Sequence, residues 1–376
     1  MPARFDKLSA LPKTLGKVTG EDMVMRIAVD AMGGDHAPDV VVAGAVQAAR
    51  EFDVEIVLVG DEARVTDLLR QHDARGLDIQ IVHASQVIEM IEHTIAVKQK
   101  PDASMVVAMK MLRRGEVDAV ASAGNSGAVM ATALLHLGRI RGVQRPALMT
   151  LYPTVSGPCV LLDIGANADC KPDYLIQFAL MGAIYAERML GRQRPRVAIV
   201  SNGEEPDKGS MLVRDTFARL TESPLHFVGN VEGKDIPQGK ADVVVTDGFT
   251  GNVIIKLTEG VVSFLGKMVK RQLTGTWRDR AGLALAVPGL ILTLPGLLLM
   301  APSLRTTRRQ LDWREYGGAP LMGVDGVVVI GHGRSDAYAI RNMIRQAMRA
   351  VEQELVPTIR DEIQRYASQS SVHEVS

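Results

Sequence analysis

Short apolar runs that end in glycine-rich polar turns are the feature of this sequence that most restricts its fold. The runs alternate with longer segments of helical period, a pattern typical of strands joined into a parallel sheet by helical crossovers. Runs such as VLLDI and VVVTD are apolar almost throughout, which indicates burial on both faces. We therefore expect an α/β fold, a three-layer α/β/α sandwich with a mostly parallel sheet. The predicted strands are Arg26–Asp30, Val54–Gly60, Ile79–His83, Ala119–Ala123, Ala147–Leu151, Val160–Ile164, Arg196–Val200, Leu225–Val228, Val243–Thr246 and Val327–Ile330.

The turns at the strand ends predict a ligand site. Their sequences are AVDAMGGDHAP, LVGD, ASAGNSGA, LLDIGANADCKP, IVSNGEEPDKG, FVGNVEG and VVTDGFTGN. In open α/β sheets, ligands bind beyond the carboxyl ends of the strands. We expect these turns to lie together on one rim of the sheet.

The composition excludes several classes of function. The 43 Lys and Arg residues balance the 43 Asp and Glu residues, so no global field favours nucleic acid. The sequence contains no G-x-x-x-x-G-K-[ST], no G-x-G-x-x-G after a strand, no G-x-S-x-G and no H-E-x-x-H. We therefore expect no cofactor, no metal and no serine nucleophile. Cys159 and Cys170 are expected to be small core residues of a cytoplasmic protein.

Three parts of the chain are predicted to differ in organisation. Residues 1–24 lack the apolar core of a signal peptide and are expected to form a flexible extension. Residues 25–355 are expected to form one α/β/α domain. Residues 356–376 are expected to be the end of the C-terminal helix and a tail.

An apolar insertion interrupts the domain at about residues 270–312. Residues 281–304 contain no charged residue, and Arg278 and Arg305 flank them. Pro-Gly pairs at 288–289 and 295–296 divide the stretch, which favours a helical hairpin or kinked amphipathic segment at a membrane surface. A hairpin buried in a dimer and a spanning helix remain alternatives. The residues expected to contact the membrane are Leu290, Leu292, Leu297 and Leu298.

Two of the turns lead into helical segments and are candidates for binding an anion. They are residues 124–127, before the segment Val129–Leu137, and residues 248–252, before Val253–Val269. Helix N-termini offer unpaired N–H groups and a favourable dipole, and glycines let a ligand approach the backbone. The alternative is that both are ordinary capped turns.

Several segments, in order and at matching spacing, resemble the PlsX-type phosphate acyltransferases. They are RIAVDAMGGDHAP (26–38), SAGNSGA (122–128), RPA (145–147), DIGANADCKP (163–172), DGFTGN (247–252), REYGGAPLMGVDG (314–326) and GHGRSDAYAIRNMIRQA (331–347). The resemblance covers roughly residues 25–355.

The resemblance implies a reaction, a fold and partners. The reaction is transfer of a long-chain acyl group from acyl carrier protein to inorganic phosphate, which gives acyl phosphate for an acyltransferase in bacterial phospholipid synthesis. The implied fold is related to phosphotransacetylases and to isocitrate and isopropylmalate dehydrogenases. The implied assembly is a homodimer, and membrane contact would be peripheral, on the inner face of the membrane.

Roles can be assigned to residues on the hypothesis that phosphate attacks the thioester directly. Lys208, with Lys171 as second candidate, is expected to neutralise phosphate or the oxyanion. Asp247 is expected to orient phosphate or accept a proton, and His332 or His36 to shuttle one. The residues expected to bind phosphate or substrate are Asp30, Gly33, Gly34, Asp35, Ser122, Gly124, Asn125, Ser126, Gly127, Asn167, Gly248, Thr250, Gly251 and Asn252.

Other functions are compatible with parts of this pattern. A phosphotransacetylase would use coenzyme A thioesters, but the long apolar stretch argues against so small a substrate. A decarboxylating dehydrogenase lacks its metal-binding aspartates and nucleotide motif here. A membrane scaffold for lipid-synthesis enzymes would not need so many polar turns.

Overall fold

The computed structural model describes residues 24–279, scattered residues between 281 and 301, and residues 312–373. Its described part is organised around one mixed sheet of eleven strands, in the order β3-β2-β1-β4-β11-β10-β5-β6-β9-β7-β8. The strands are β1 (Arg26–Asp30), β2 (Glu55–Gly60), β3 (Ile79–His83), β4 (Ala119–Ser122), β5 (Ala147–Tyr152), β6 (Cys159–Leu162), β7 (Val197–Val200), β8 (Phe227–Val231), β9 (Val243–Val245), β10 (Ala319–Met322) and β11 (Val327–Ile330).

The middle of the sheet reverses the direction of the strands. Strands β3, β2, β1, β4 and β11 are parallel to one another. The next three pairings, β11 with β10, β10 with β5 and β5 with β6, are all antiparallel. Strands β6, β9, β7 and β8 are again mutually parallel, but they run opposite to the first set.

This reversal corrects the expectation that all the glycine-rich turns share one rim. The carboxyl ends of β1, β4 and β11 lie on what we call the first rim. The carboxyl ends of β6, β7 and β9 point the other way along the strands, and we call the edge where they lie the second rim. The strand that the sequence prediction missed, β10, belongs to this antiparallel region.

Helices cover both faces of the sheet, so the predicted three-layer fold is confirmed. The helices are α1 (Asp39–Glu51), α2 (Glu62–Gln71), α3 (Ala96–Gln99), α4 (Ser104–Arg113), α5 (Ser126–His136), α6 (Pro172–Leu190), α7 (Met211–Glu222), α8 (Gly248–Thr274), α9 (Ala337–Glu352) and α10 (Leu355–His373), with a 3₁₀ turn at Trp313–Glu315.

Alternate residues of each strand face different helices. On β1, Ala28 packs with α4 and α5, whereas Ile27 packs with α1 and α9. Close approach between two helices on the same face relies on a small residue: a Cβ on Gly44 of α1 would lie 2.6 Å from Cβ of Ile340 on α9. Such interdigitation keeps interiors at crystal-like density.

Helix α10 occupies most of the segment expected to be the end of the C-terminal helix and a tail. It packs against α6, and its Ile359 and Ile363 belong to the same buried cluster as Phe178 of that helix. Burying an aliphatic side chain of this size contributes about 1.5–3 kcal/mol. Residues 355–363 are therefore part of the domain rather than an appendage.

Helix α8 begins at the second rim and continues into the apolar insertion. Its outward residues Leu257, Val261, Phe264, Leu265 and Met268 are exposed, at spacings that place them on one side of the helix. Among the described residues of the insertion, Leu285, Leu298, Leu299 and Met300 are exposed and helical. Leu290, Leu292 and Leu297 lie outside the described residues.

No helix in the described part of the chain is both long enough and apolar enough to cross a membrane.

Candidate active site

The first rim brings two of the predicted turns into direct contact with the turn after β11. Gly331, after β11, donates its N–H to the carbonyl of Ser122 at the end of β4, at 2.8 Å. Asp35, after β1, donates its N–H to the carbonyl of Gly333 at 2.7 Å. Segments from distant parts of the sequence therefore form one continuous surface.

A buried carboxylate supports this surface from below. Asp30 is 1% exposed and accepts hydrogen bonds from the hydroxyls of Ser104, at 2.5 Å, and Ser122, at 2.6 Å. Burial raises the pKa of Asp30, while these hydroxyls oppose the rise. A Cβ on Gly33 would clash with Oδ2 of Asp30, and one on Gly124 would lie 3.2 Å from the Ser122 hydroxyl. Asp30 and Ser122 were expected to touch phosphate, but they lie beneath the surface and hold the turns in place.

The N-terminus of α5 is the part of the first rim best suited to an anion. Asn125 caps the helix through Oδ1, which accepts the N–H of Ala128 at 3.0 Å, and its Nδ2 donates to the carbonyl of Met90 at 2.7 Å. Asn125 is therefore occupied by structural bonds. Ser126 is exposed and Gly127 half-buried in the first turn, where N–H groups point out of the helix.

The turn after β1 flanks that helix end. Gly34 has φ of +122°, a backbone conformation that favours glycine, and a Cβ there would lie 3.2 Å from the carbonyl oxygen of Gly333. Asp35 and His36 follow it, and both are exposed. The glycine thus permits the close contact between two turns of the first rim.

Charged side chains from α8 also reach the first rim. Oε1 of Glu259 lies 3.4 Å from Nε2 of His332, and Oε2 lies 3.5 Å from Arg334. Lys256, one turn earlier on the helix, lies 3.9 Å from Glu259. Of this group the sequence interpretation selected only His332. A weak signal for the others was available, because Lys256 and Glu259 are three residues apart on the helix that follows DGFTGN.

His332 is held in its neutral form near pH 7. Burial lowers its pKa, and the positive charges of Arg334 and Lys256 act in the same direction, whereas Glu259 opposes them. Since a free histidine titrates near ~6.5, a lowered pKa leaves the imidazole unprotonated at neutral pH. A neutral imidazole can accept a proton.

The turn residues of the second rim are bonded mainly to one another. Asp163 is 0% exposed and accepts the N–H groups of Gly165, Ala166 and Asn167, at 3.1, 3.0 and 2.7 Å. Burial raises the pKa of Asp163 and these donors oppose the rise. The loop of residues 163–167, which we call the DIGAN loop, is therefore folded around the carboxyl group of Asp163.

The expected phosphate cradle at residues 248–252 is filled by that loop. Asn167 donates Nδ2 to Oδ2 of Asp163 at 2.8 Å and to the carbonyl of Pro146 at 2.7 Å. Gly248 donates its N–H to the carbonyl of Asn167 at 2.7 Å, and a Cβ on Gly251 would clash with the carbonyl oxygen of Asp163. Asn167, Gly248 and Gly251 thus make structural contacts here, and their assignment to phosphate stays a prediction.

Asp247 is the N-cap of α8. Its Oδ1 accepts the N–H of Thr250 at 2.9 Å, and its Oδ2 accepts the hydroxyl of Thr250 at 2.8 Å. Capping of this kind contributes about 1 kcal/mol. Each carboxylate oxygen thus accepts one hydrogen bond from Thr250, as the capped-turn alternative predicts. Asn252, in the first turn of α8, is exposed.

The two candidate lysines also lie on the second rim. Lys171 occupies the N-cap position of α6 and is exposed. Lys208 is exposed on the loop after β7 and packs over Gly203, where a Cβ would lie 2.8 Å from Cγ of the lysine. The length of α8 from Gly248 to Glu259, roughly 16 Å, separates the second rim from His332. The structure does not bring Lys208, Lys171 and Asp247 together with His332 in one subunit.

The two cysteines are poorly suited to nucleophilic attack. Burial raises the pKa of Cys159 to about 12 and that of Cys170 to about 12. The thiolate is the nucleophilic form of cysteine. Both thiols therefore stay protonated near neutral pH.

Comparisons with known proteins identify the family. Residues 25–357 match the family described as "Fatty acid synthesis protein". The "Phosphate acyltransferase" of Herpetosiphon aurantiacus is 47% identical over 355 residues, covering 89% of this chain and 96% of that protein. This chain belongs to the phosphate acyltransferase family. The "Phosphate acyltransferase" of Heliobacterium modesticaldum, another member, is 48% identical over 341 residues, covering 90% of this chain and 98% of that protein.

Solved structures confirm the fold predicted from the family resemblance. A phosphotransacetylase from Streptococcus pyogenes matches with a TM-score of 0.56 at 16% identity, covering 88% of this chain and 94% of that one. EutD phosphotransacetylase from Staphylococcus aureus matches with a TM-score of 0.53 at 16% identity and the same coverage. At this level of identity the likeness concerns the fold.

Proposed function

We propose that this protein transfers an acyl group from a thioester to inorganic phosphate at the first rim. The observation that carries the proposal is that the first turn of α5, after β4, and the side chains of His332 and Arg334, after β11, lie on the same rim of the sheet, in a chain of the phosphate acyltransferase family. Backbone N–H groups and cations together favour a dianion. The acyl phosphate formed would serve phospholipid synthesis.

The first rim suits phosphate better than the second. At the second rim, the backbone donors of residues 165–167 and 250 already bond to Asp163 and Asp247 and are not available to phosphate. At the first rim, Asp30 is covered by glycine turns, and the exposed residues include Ser126 and Arg334. We therefore place phosphate between the start of α5 and the charged residues of α8.

Phosphate attacks the thioester carbonyl directly in this proposal. A phosphate oxygen forms the new bond to the carbonyl carbon, the C–S bond breaks, and the hydroxyl proton of phosphate ends on the departing sulfur. Holding phosphate beside the carbonyl can supply several kcal/mol of the rate enhancement. The protonated state of Cys159 and Cys170 fits a reaction without a cysteine acyl-enzyme.

We further propose that the acyl donor is a long-chain acyl carrier protein and that the product passes to a second acyltransferase. The support is the family resemblance together with the apolar surface of α8 and the insertion. Each methylene moved out of water contributes ~0.8 kcal/mol, so a long chain needs such a surface.

The same apolar surfaces support a homodimer and a peripheral position on the inner face of the membrane. The α8 face of Leu257, Val261, Phe264, Leu265 and Met268 is a contiguous exposed apolar patch, which monomers rarely carry. We assign this face to a second copy and the insertion around Leu298 to lipid. Leu298→Glu should reduce cosedimentation with anionic vesicles; unchanged cosedimentation would count against the lipid contact.

A phosphate-dependent assay tests the function. Long-chain acyl carrier protein and acetyl coenzyme A are compared as donors, with acyl phosphate trapped by hydroxylamine. We expect turnover with the carrier-protein thioester that depends on phosphate. The phosphotransacetylase alternative, which the shared fold favours, predicts turnover with acetyl coenzyme A instead. Absence of phosphate-dependent turnover with either donor would contradict acyl transfer to phosphate.

A further inference from the structure

A loop between β3 and α3 carries two isoleucines that face solvent beside the first rim. Ile91 is 93% exposed and Ile95 is 55% exposed. By contrast, Ile88 at the start of this loop is 3% exposed and packs into the same core cluster as Val97 of α3. The loop of residues 88–95, which we call the isoleucine loop, therefore has a buried base and an apolar outer side.

Hydrogen bonds fix the backbone of the isoleucine loop. Nζ of Lys100 donates to the carbonyl of Val87 and to Oε2 of Glu92, both at 2.7 Å. The same carboxylate oxygen accepts the N–H of Glu89 at 2.7 Å. Because these bonds hold the chain on both sides of the turn, the side chain of Ile91 is kept away from the core.

The residue before each isoleucine touches the first rim. The carbonyl of Met90 accepts Nδ2–H of Asn125, the N-cap of α5, at 2.7 Å. On its other side, a Cβ on Gly333 would lie 2.6 Å from Cε of Met90. Thr94 lies beside the first turn of α5, where a Cβ on Gly127 would lie 3.4 Å from its Cγ2. The isoleucine loop thus bridges the start of α5 and the turn after β11.

The two isoleucines are therefore close to the start of α5, where phosphate is placed. Consecutive Cα atoms are ~3.8 Å apart, so Ile91 and Ile95 each lie one residue away from a contact with the first rim. A helix start that favours an anion, beside exposed aliphatic side chains, matches a ligand with an anionic head and an apolar tail. An acyl phosphate is such a molecule, and so is the pair of phosphate and acyl thioester from which it forms.

Other exposed apolar residues are less suited to the acyl chain. The α8 face is assigned to a second copy, and the insertion around Leu298 to lipid. Leu135, which is 53% exposed, lies in the last turn of α5, at the end of the helix opposite to the phosphate. The isoleucine loop, in contrast, is bonded directly to the cap residue of that helix.

We infer that Ile91 and Ile95 bind the acyl chain of the substrate and set the preference of the enzyme for chain length. This inference rests on the proposed function. The chain leaves water against these two side chains while phosphate and the carbonyl carbon meet at the first rim. Each methylene that leaves water raises the affinity about fourfold, so donors gain with chain length as far as the loop covers the chain. The isoleucines make no bond to the reacting atoms, and they determine specificity rather than catalyse.

Chain-length preference tests this inference. We compare kcat/KM for palmitoyl and butyryl thioesters of the same carrier protein, with phosphate as the acceptor. Ile91→Ser and Ile95→Ser should each lower kcat/KM about tenfold for the palmitoyl donor, the scale of a lost apolar contact in a binding pocket, and leave the butyryl donor unchanged. Ile91→Leu keeps the apolar contact and should keep the preference of the parent. Leu135→Ser removes a side chain as exposed as that of Ile95, and this matched control should also keep the preference.

Binding of alkyl phosphonates tests the inference without turnover. Dodecylphosphonate and ethylphosphonate carry the same anionic head and differ in chain length. In calorimetry below the micelle concentration, the parent should bind dodecylphosphonate at least about tenfold more tightly than ethylphosphonate. The double variant Ile91→Ser/Ile95→Ser should bind the two probes equally. Equal binding by the parent, or an unchanged difference in the double variant, would overturn the inference.

The outcomes separate this inference from the proposed function. If the parent transfers acyl groups to phosphate and the serine variants keep its chain-length preference, the inference is wrong and the function stands. If the parent shows no phosphate-dependent turnover, the proposed function fails, and phosphonate binding decides whether the loop holds a chain. A change in solution mass or vesicle binding of the double variant, with chain-length preference unaltered, would assign the isoleucines to a second copy or to lipid and overturn the inference.

Discussion

The first and second rims carry turns of similar sequence, yet their polar groups are bonded differently. At the second rim, Asp163 and Asp247 are satisfied by N–H groups of neighbouring residues, and Gly248 and Gly251 make room for an adjacent loop. At the first rim, the carboxylate of Asp30 is buried beneath the turns, and the first turn of α5 stays accessible. A glycine-rich turn therefore indicates that another group lies close to its backbone. Only the fold shows whether that group is a ligand or a neighbouring loop.

The largest expected effect comes from removing the imidazole at the first rim. His332→Gln should lower kcat/KM by about 10²–10⁴-fold, because proton transfer during attack and departure is lost. Steady-state rates with the carrier-protein thioester and phosphate measure the change. His72→Gln, at the end of α2, is the matched control and should leave the rate unchanged. A His332→Gln rate close to the parent's would remove the first rim from the chemistry.

Lys208→Ala tests whether the second rim takes part at all. Its cation is expected to stabilise phosphate or the oxyanion, a contribution commonly worth about 10²–10³-fold. Because Lys208 and His332 are on opposite rims of one subunit, they can serve the same phosphate only across a dimer. Lys208→Ala and His332→Gln should then each be inactive alone, and refolding their mixture should restore part of the activity.

Two outcomes of that mixing experiment contradict the shared site. A fully active Lys208→Ala would leave the lysine without a catalytic role. Two inactive variants whose mixture stays inactive, with mixed dimers verified by mass, would place both residues' effects in one subunit.

The smallest expected effect concerns Asp247, which the structure shows as a cap. Asp247→Ala should lower the free energy of unfolding by about 1 kcal/mol through loss of the bonds to Thr250. Asp247→Ser keeps a capping oxygen and should keep both stability and rate. Chemical unfolding followed beside kcat/KM separates the two roles. A large rate loss in Asp247→Ser at unchanged stability would restore Asp247 as a catalytic candidate.

Much of the sheet was predictable from local pattern. The boundaries of β1, β3 and β11 were predicted to the residue, because continuous β-branched runs end abruptly at Gly, Asp or His. Strand β10 was missed, since its sequence APLM is short and contains a proline, which is depleted in strands. Pro320 is in register with Val329 of β11, and the pairing of β10 with β5 involves only Leu321 and Met322.

Only part of the reversal of the sheet could have been inferred from the connections. Only residues 153–158 join β5 to β6, and only 323–326 join β10 to β11. Parallel neighbours need a crossover of a dozen or more residues. Connections this short predict two hairpins, but two reversals alone would leave the two parallel sets running in the same direction. The third reversal, between β10 and β5, joins strands far apart in the sequence, and only the structure shows it.

The sequence alone determined the layers, most strands and the family, because hydrophobic period, turn chemistry and ordered motifs are local properties of the chain. Only the tertiary structure decided which turns meet. Asp247 and Glu259 belong to one helix, yet the first caps that helix at the second rim and the second reaches His332 at the first rim. Hydrogen bonds between distant segments depend on strand direction and helix length, which no single motif records.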